Sequence, residues 1–181
     1  MLGEPGKYRF ADLFIGTTAE RVVRTSPIPV LMAKRTTSGR YERVLVPLDL
    51  SEGALRAFAV GLTIAPSAEV RIVHAWRPPL SALFQRHAAL PDAIRKENEE
   101  IKALIERVAK EAAAATARQG QVLNVDMIED NPYVVMRNES SWPDLLAIGT
   151  HPTGRLATEM IGSLARRVLA EAPCDVLVAR P

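Results

Sequence analysis

Two stretches of this chain carry residue types that could do chemistry, and one of them suits an anionic ligand. The segment GTHPTGRLATEMIGS (149–163) joins an apolar run to a helical pattern. Gly149 lets the chain turn sharply after a strand. Gly162 and Ser163 allow close backbone approach and offer N–H and hydroxyl donors. Donors of that kind at a helix start cradle phosphate. A glycine-rich connection of this spacing also occurs for structural reasons alone. The second stretch, ERVLVPLD (42–49), is an apolar run ending in Pro47 and Asp49, a buried strand meeting a loop.

Other reactive residue types are scattered. His74 lies in the middle of an apolar run and reads as a core histidine with a satisfied ring nitrogen. His151 lies in the loop itself, where phosphate contact and simple solvation are both open, and His87 falls in a Pro-containing stretch. Three separated histidines and one cysteine give no metal-site spacing. Ser163 is not in a G-x-S-x-G elbow, so its role is donor and not nucleophile. Asp49 and Glu52 can form a carboxylate pair, although helix capping accounts equally well for Glu52. Cys174 opens an apolar run and reads as a packing thiol.

The elements that must position these residues follow from periodicity. Ser51 caps a helix whose apolar face is read as Leu55, Phe58, Ala59 and Leu62, with Pro66 as its stop. EVRIVHAW (69–76) is a strand. Residues 91–120 are a long amphipathic helix with Ile101, Leu104, Ile105, Val108 and Ala112 as its stripe. Residues 121–130 are a strand, 131–141 a short helix opened by Pro132, and 144–150 a strand. A helix over 157–172 and a strand over 174–180 end the chain. Strands alternating with helices predict an α/β, doubly wound, mainly parallel sheet with helices on both faces. Ligands bind such sheets outside the carboxyl ends of the strands where strand order reverses, which places Asp49 near Gly149.

The chain contains 181 residues with a net charge of +2. Its basic residues are dispersed and not interleaved with aromatics, which argues against nucleic acid as partner. No apolar run approaches the roughly 20 residues of a membrane span, and MLGEPGKYRF lacks an apolar signal core. The single cysteine fits a reducing cytoplasm.

A repeat crosses this organisation. IGTTAERVVRTSPIPVLMAK (15–34) aligns without a gap on IGSLARRVLAEAPCDVLVAR (161–180), with nine identical positions, among them Gly16/Gly162, Arg21/Arg167, Pro27/Pro173 and Leu31/Leu177. A repeat of this length points to tandem domains. Residues 1–36 are therefore read as the C-terminal fragment of a preceding unit, 37–41 as a linker and 42–181 as a complete domain. Their apolar content argues that residues 1–36 fold. The strand from Ile28 to Lys34 is expected to pair antiparallel with the strand from Cys174 to Arg180, giving a sixth, edge strand, and the preceding helix (about 10–25) to pack beside its twin.

These segments together resemble the universal stress protein family. The resemblance rests on VLVPLDLSEGA (44–54), RIVHAW (71–76), DLLAIGTH (144–151) and the final IGSLARRVLAEAPCDVLVAR, and covers about residues 41–181. It implies a five-stranded sheet of order 3-2-1-4-5 and association through the last strands, as a homodimer or, here, an internal pseudo-dimer. It also implies an adenine-nucleotide site, with ATP as ligand and Mg accompanying the nucleotide. Carried onto this sequence, that site comprises Pro47, Leu48, Asp49, Ala75, Gly149, Thr150, His151, Pro152, Gly162, Ser163 and Leu164. Asp49 would lie against ribose and adenine. The family's motif G-x2-G-x9-G-[S/T] is met by Gly149, Gly162 and Ser163, but Pro152 stands at the second glycine. Proline has no N–H and fixes φ. In the N-terminal copy Gly3, Gly6, Gly16 and Thr17 complete the motif, yet the first strand with its aspartate is absent there. The implied function is a stress-response nucleotide-binding and signalling module. A structural or interaction member that binds no nucleotide is the alternative. A slow ATP hydrolase ranks last, because no residue reads as a dedicated base or metal carboxylate beside the phosphates.

Overall fold

The computed structural model describes residues 17–35, 39–78, 92–116, 123–150 and 162–181. In chain order these form α1 (Thr17–Thr25), β1 (Val30–Met32), β2 (Arg43–Pro47), α2 (Glu52–Ile64), β3 (Glu69–Trp76), α3 (Asp92–Ala115), β4 (Asn124–Glu129), α4 (Pro132–Glu139), β5 (Leu145–Gly149), α5 (Ser163–Glu171) and β6 (Asp175–Ala179). One six-stranded sheet has the order β1-β6-β5-β2-β3-β4. β2 to β6 are parallel, and β1 runs antiparallel along β6. The doubly wound α/β sheet with one antiparallel edge strand is the fold expected from the sequence. Strand order reverses between β2 and β5.

Strand alternation divides the core into two layers. Val44, Val46, Ile72, Leu145, Ala147 and Leu177 point to the face covered by α2 and α3. Leu45, Val73, Leu146, Ile148, Val176 and Val178 point to the face covered by α4 and α5. Strands flanked on both faces are apolar at nearly every position, which is why they read as continuous runs.

The helices begin where capping chemistry places them. The Ser51 side chain accepts from the Ala54 N–H, and the Asn131 side chain accepts from Tyr133 ahead of Pro132. Two apolar faces differ from expectation. The buried face of α2 is Gly53, Ala54, Ala57, Phe58, Gly61 and Leu62, while Leu55 and Ala59 are only half-buried. Small residues face the sheet because α2 lies close against β5: a Cβ on Gly61 would sit 3.3 Å from Ala147. In α3 the buried stripe is Ile105, Ala109 and Ala113, and Leu104 and Val108 flank it. Arg71 of β3 ties α4 to the sheet, bonding Asp126 and Glu139 at 3.0 Å each and stacking 5.0 Å from the Trp142 ring.

The N-terminal strand follows the repeat. Val30 pairs with Val178, Leu31 with Leu177 and Met32 with Val176. Leu31 thus faces its own repeat counterpart, and its neighbours exchange partners symmetrically, so a local two-fold relates β1 to β6. Val23 of α1 is buried in the layer that holds Ala165 and Leu169 of α5, which sets the two helices on one face. Residues 10–16 of the expected helix lie outside the described residues.

The same segment is fastened by a buried carboxylate. Asp175, 1% exposed, accepts from the Lys34 N–H at 2.8 Å, the Arg35 N–H at 3.0 Å and the Tyr41 hydroxyl at 2.8 Å. Lys34 Nζ donates to Ala172 O at 2.9 Å. Arg56 donates to Pro27 O, and Arg180 to Arg24 O. Burial alone would raise the Asp175 carboxyl, but the Lys34 N–H, the Tyr41 hydroxyl and the Arg35 N–H outweigh it and hold the group below its ordinary 3.8. Tyr41 is pushed up to about 12, first by burial and then by its bond to Asp175.

Candidate functional site

At the point where strand order reverses, the ends of β2, β3 and β5 enclose a cavity of about 120 Å3. Of the residues singled out in the sequence, Pro47, Leu48, Asp49, Ala75, Gly149 and Leu164 line it. They come from four separate segments, and the parallel sheet brings them together. The lining is mostly apolar, with Asp49 and His74 as its titratable groups among the described residues. An apolar body with few polar groups is the usual make-up of a small-molecule site.

Asp49 is held in a local turn. Its Oδ1 accepts from the Ser51 N–H at 3.0 Å and from the Ser51 hydroxyl at 2.5 Å. This two-residue closure is an Asx turn. Leu50 within it takes φ 62°, left-handed backbone that an L side chain adopts at a cost of about 1–2 kcal/mol. The half-buried Leu50 side chain packs on the core and keeps it there. Asp49 Oδ2 makes no hydrogen bond among the described residues.

His74 proves to be both satisfied and part of the cavity. Its Nδ1 lies 2.7 Å from Leu48 O, and since a carbonyl only accepts, Nδ1 carries the proton. Leu48 N–H in turn donates to Val73 O at 3.0 Å. His74 is thus a positioning residue for the turn that presents Asp49. The sequence signal was a polar residue in the middle of an apolar strand. The contributions of Met136 and Pro132 carried no comparable signal, because α4 reaches the cavity only through tertiary packing.

Gly149 has a different reason from the one expected. It ends β5 without a left-handed φ, so no sharp turn requires it. A Cβ there would lie 2.2 Å from Ala54 N and 2.5 Å from Gly53 C. The glycine allows the start of α2 to rest directly on β5. Gly53 serves the same contact from the other side, with a Cβ position 2.7 Å from Thr150 O. Thr150 is buried and does not line the cavity. Its N–H donates to Ala179 O at 2.8 Å, and its hydroxyl points to the same carbonyl at 3.4 Å. Gly162 is the N-cap of α5, with no side-chain cap bond, and Ser163 lines an adjoining cavity. His151 and Pro152 lie outside the described residues.

Cys174 is buried in the layer beneath α5, and burial raises its thiol above its ordinary value, as fits a packing role. No helix among the described residues is long and apolar enough to cross a membrane.

Fold and cavity define a doubly wound α/β protein with a crevice at its switch point. The sequence pattern of the universal stress protein family matches residues 40–180. The universal stress protein in the QAH/OAS sulfhydrylase 3′ region of Thermus aquaticus is 30% identical over 148 residues, spanning 77% of this chain and 99% of that protein. A universal stress protein structure from Archaeoglobus fulgidus matches with a TM-score of 0.66 and 22% identity, over 99% of this chain and 60% of that one. A universal stress protein solved in complex with cAMP matches with a TM-score of 0.57 and 23% identity, over 78% of this chain and 98% of that one. The chain belongs to the universal stress protein family.

Proposed function

We propose that this chain is an adenine-nucleotide-binding module of the family, with ATP as its ligand and the cytoplasm as its compartment. The reading is carried by the convergence of Pro47, Leu48, Asp49, Ala75, Gly149 and Leu164 on one cavity at the strand-order reversal. An apolar slot suits the base. The Oδ2 of Asp49, unengaged among the described residues, is a hydrogen-bond acceptor suited to ribose hydroxyls. A solved relative with cAMP bound supports the ligand class. Among the described residues no group of three His, Cys, Asp or Glu could hold a metal, so Mg2+ enters this reading only as a partner of the nucleotide phosphates.

Asp49→Ala tests it. Loss of the carboxylate also opens the Asx turn, so ATP affinity is expected to fall at least tenfold, measured by calorimetric titration. Unchanged affinity would remove Asp49 from the site.

A second observation bears on partners and domain organisation. Val22, Ile28 and Leu31 are 45%, 69% and 45% exposed, whereas their repeat counterparts Val168, Cys174 and Leu177 are 6%, 0% and 2% exposed. This supports reading the N-terminal segment as the end of a second unit of the same fold. The two-fold register of β1 on β6 supports an internal pseudo-dimer over association of two chains through β6. The interaction-only reading of the protein would act through this edge.

A further inference from the structure

A second cavity, of about 540 Å3, adjoins the first and shares Pro132 and Leu164 with it. Among the described residues its lining contains two arginines, Arg77 and Arg167, and no carboxylate. Arg77 extends from the end of β3, and its ion pair with Asp130 is long, at 3.9 Å, and largely exposed. Arg167 lies 4.5 Å over the Tyr133 ring, which fixes the guanidinium without neutralising it. The nearby Glu171 is instead engaged by the Tyr133 hydroxyl at 2.7 Å.

Two helix starts open on the same space. Asn131 and Val134 of the α4 start and Ser163 of the α5 start line it. Asn131 spends its Oδ1 on the Tyr133 N–H, and its Nδ2 donates to no group among the described residues. α5 has no side-chain cap. Helix N-termini carry partial positive charge, and two of them beside two guanidiniums form a strongly cationic recess.

We infer that the phosphate arm of the nucleotide enters this recess, with Arg77 and Arg167 as its charge partners. The inference rests on the nucleotide reading of the neighbouring cavity. The two recesses have opposite character: one is apolar with a carboxylate and suits base and sugar, the other is cationic and suits phosphate. Guanidiniums bind phosphate in bidentate fashion, and such charged bonds are about twice as strong as neutral ones. This arrangement supplies anion affinity from a side chain just after β3 and one of α5, in a chain whose connecting loop has proline at the motif's second glycine.

The test is titration of the full chain with ATP and with adenosine, for the wild type, Arg77→Ala, Arg167→Ala and the double variant. Each single change is expected to weaken ATP about tenfold and the double change about 100-fold, on the scale of charged hydrogen bonds. Adenosine affinity should stay within about twofold. A double variant that binds ATP like the wild type overturns the inference and leaves the nucleotide reading standing. Equal losses for ATP and adenosine overturn it too, since the arginines would then shape the fold and not hold phosphate. A wild type that binds neither ligand overturns the nucleotide reading itself, and this inference with it. Should Arg167→Ala unfold, Arg77→Ala, at an exposed side chain, carries the same comparison.

Discussion

Gly149→Ala is expected to destabilise the protein by about 3 kcal/mol or more, the upper range for overpacking, lowering the melting temperature by on the order of 6–12 °C. The reason is the identity of the obstructing atoms. The added methyl would meet Ala54 N, Gly53 C and Ala54 Cα at 2.2, 2.5 and 2.6 Å. All three are backbone, so no rotamer change relieves the clash, and α2 must lift from β5. That movement opens the layer in which Ala54, Ala57 and Phe58 are buried. It also shifts the turn that presents Asp49, so ligand affinity should fall with stability. Gly39→Ala is the control, because a Cβ there has nothing within 4 Å and should leave the melting temperature unchanged. Differential scanning calorimetry of both variants decides the matter. A Gly149→Ala protein that melts with the wild type would show that the contact between α2 and β5 is looser than described.

The second large effect concerns Asp175→Ala. The change leaves the Lys34 N–H, the Arg35 N–H and the Tyr41 hydroxyl without their acceptor. At about 1 kcal/mol or more for each stranded donor the loss is about 3 kcal/mol. It falls on the joint between the N-terminal segment and the domain. Once released, β1 no longer covers β6, whose five residues are all buried here. An uncovered apolar edge strand pairs with another chain. Two readouts follow: faster amide exchange at Val176–Val178, and self-association in light scattering. The pH dependence has a defined sign. The Asp175 carboxyl is held below its ordinary value, so its contribution is fully present above pH 3.8 and is lost as pH falls through its lowered value. Tyr41 is raised from 10.0 to about 12, so its contribution is complete below pH 10 and is lost as pH rises through 12. The stability gap between wild type and variant should therefore be constant at neutral pH and close in acid. A gap that persists in acid would mean that the carboxylate charge is not what holds the segment.

Much of this architecture is legible in the residues. Buried parallel strands announce themselves as apolar runs, and Ser51, Asn131 and Pro132 mark helix starts by chemistry that is local. The repeat of 15–34 on 161–180 carried the edge strand, since equal sequences seek equal neighbours. What was not legible depends on close approach between distant segments. The face of α2 was misplaced because Leu55 and Ala59 outrank Gly53 and Gly61 in hydrophobicity, whereas packing distance favours the small residues. Gly149 suggested a turn, but its role lies in a contact with a helix almost a hundred residues earlier. At the site, Asp49 and Gly149 were placed together by the rule for doubly wound sheets. His74, Arg77 and Arg167 were not, because their roles arise from what β3, α4 and α5 enclose jointly.

The most direct test of the nucleotide reading is the ligand content of the protein itself. The chain would be purified without added nucleotide and denatured, the supernatant assayed for adenine nucleotides, and a stripped sample titrated with ATP by calorimetry. The account predicts released adenine nucleotide or micromolar ATP binding by the stripped protein. Absence of both would contradict it and would turn attention to protein partners at the β1–β6 edge.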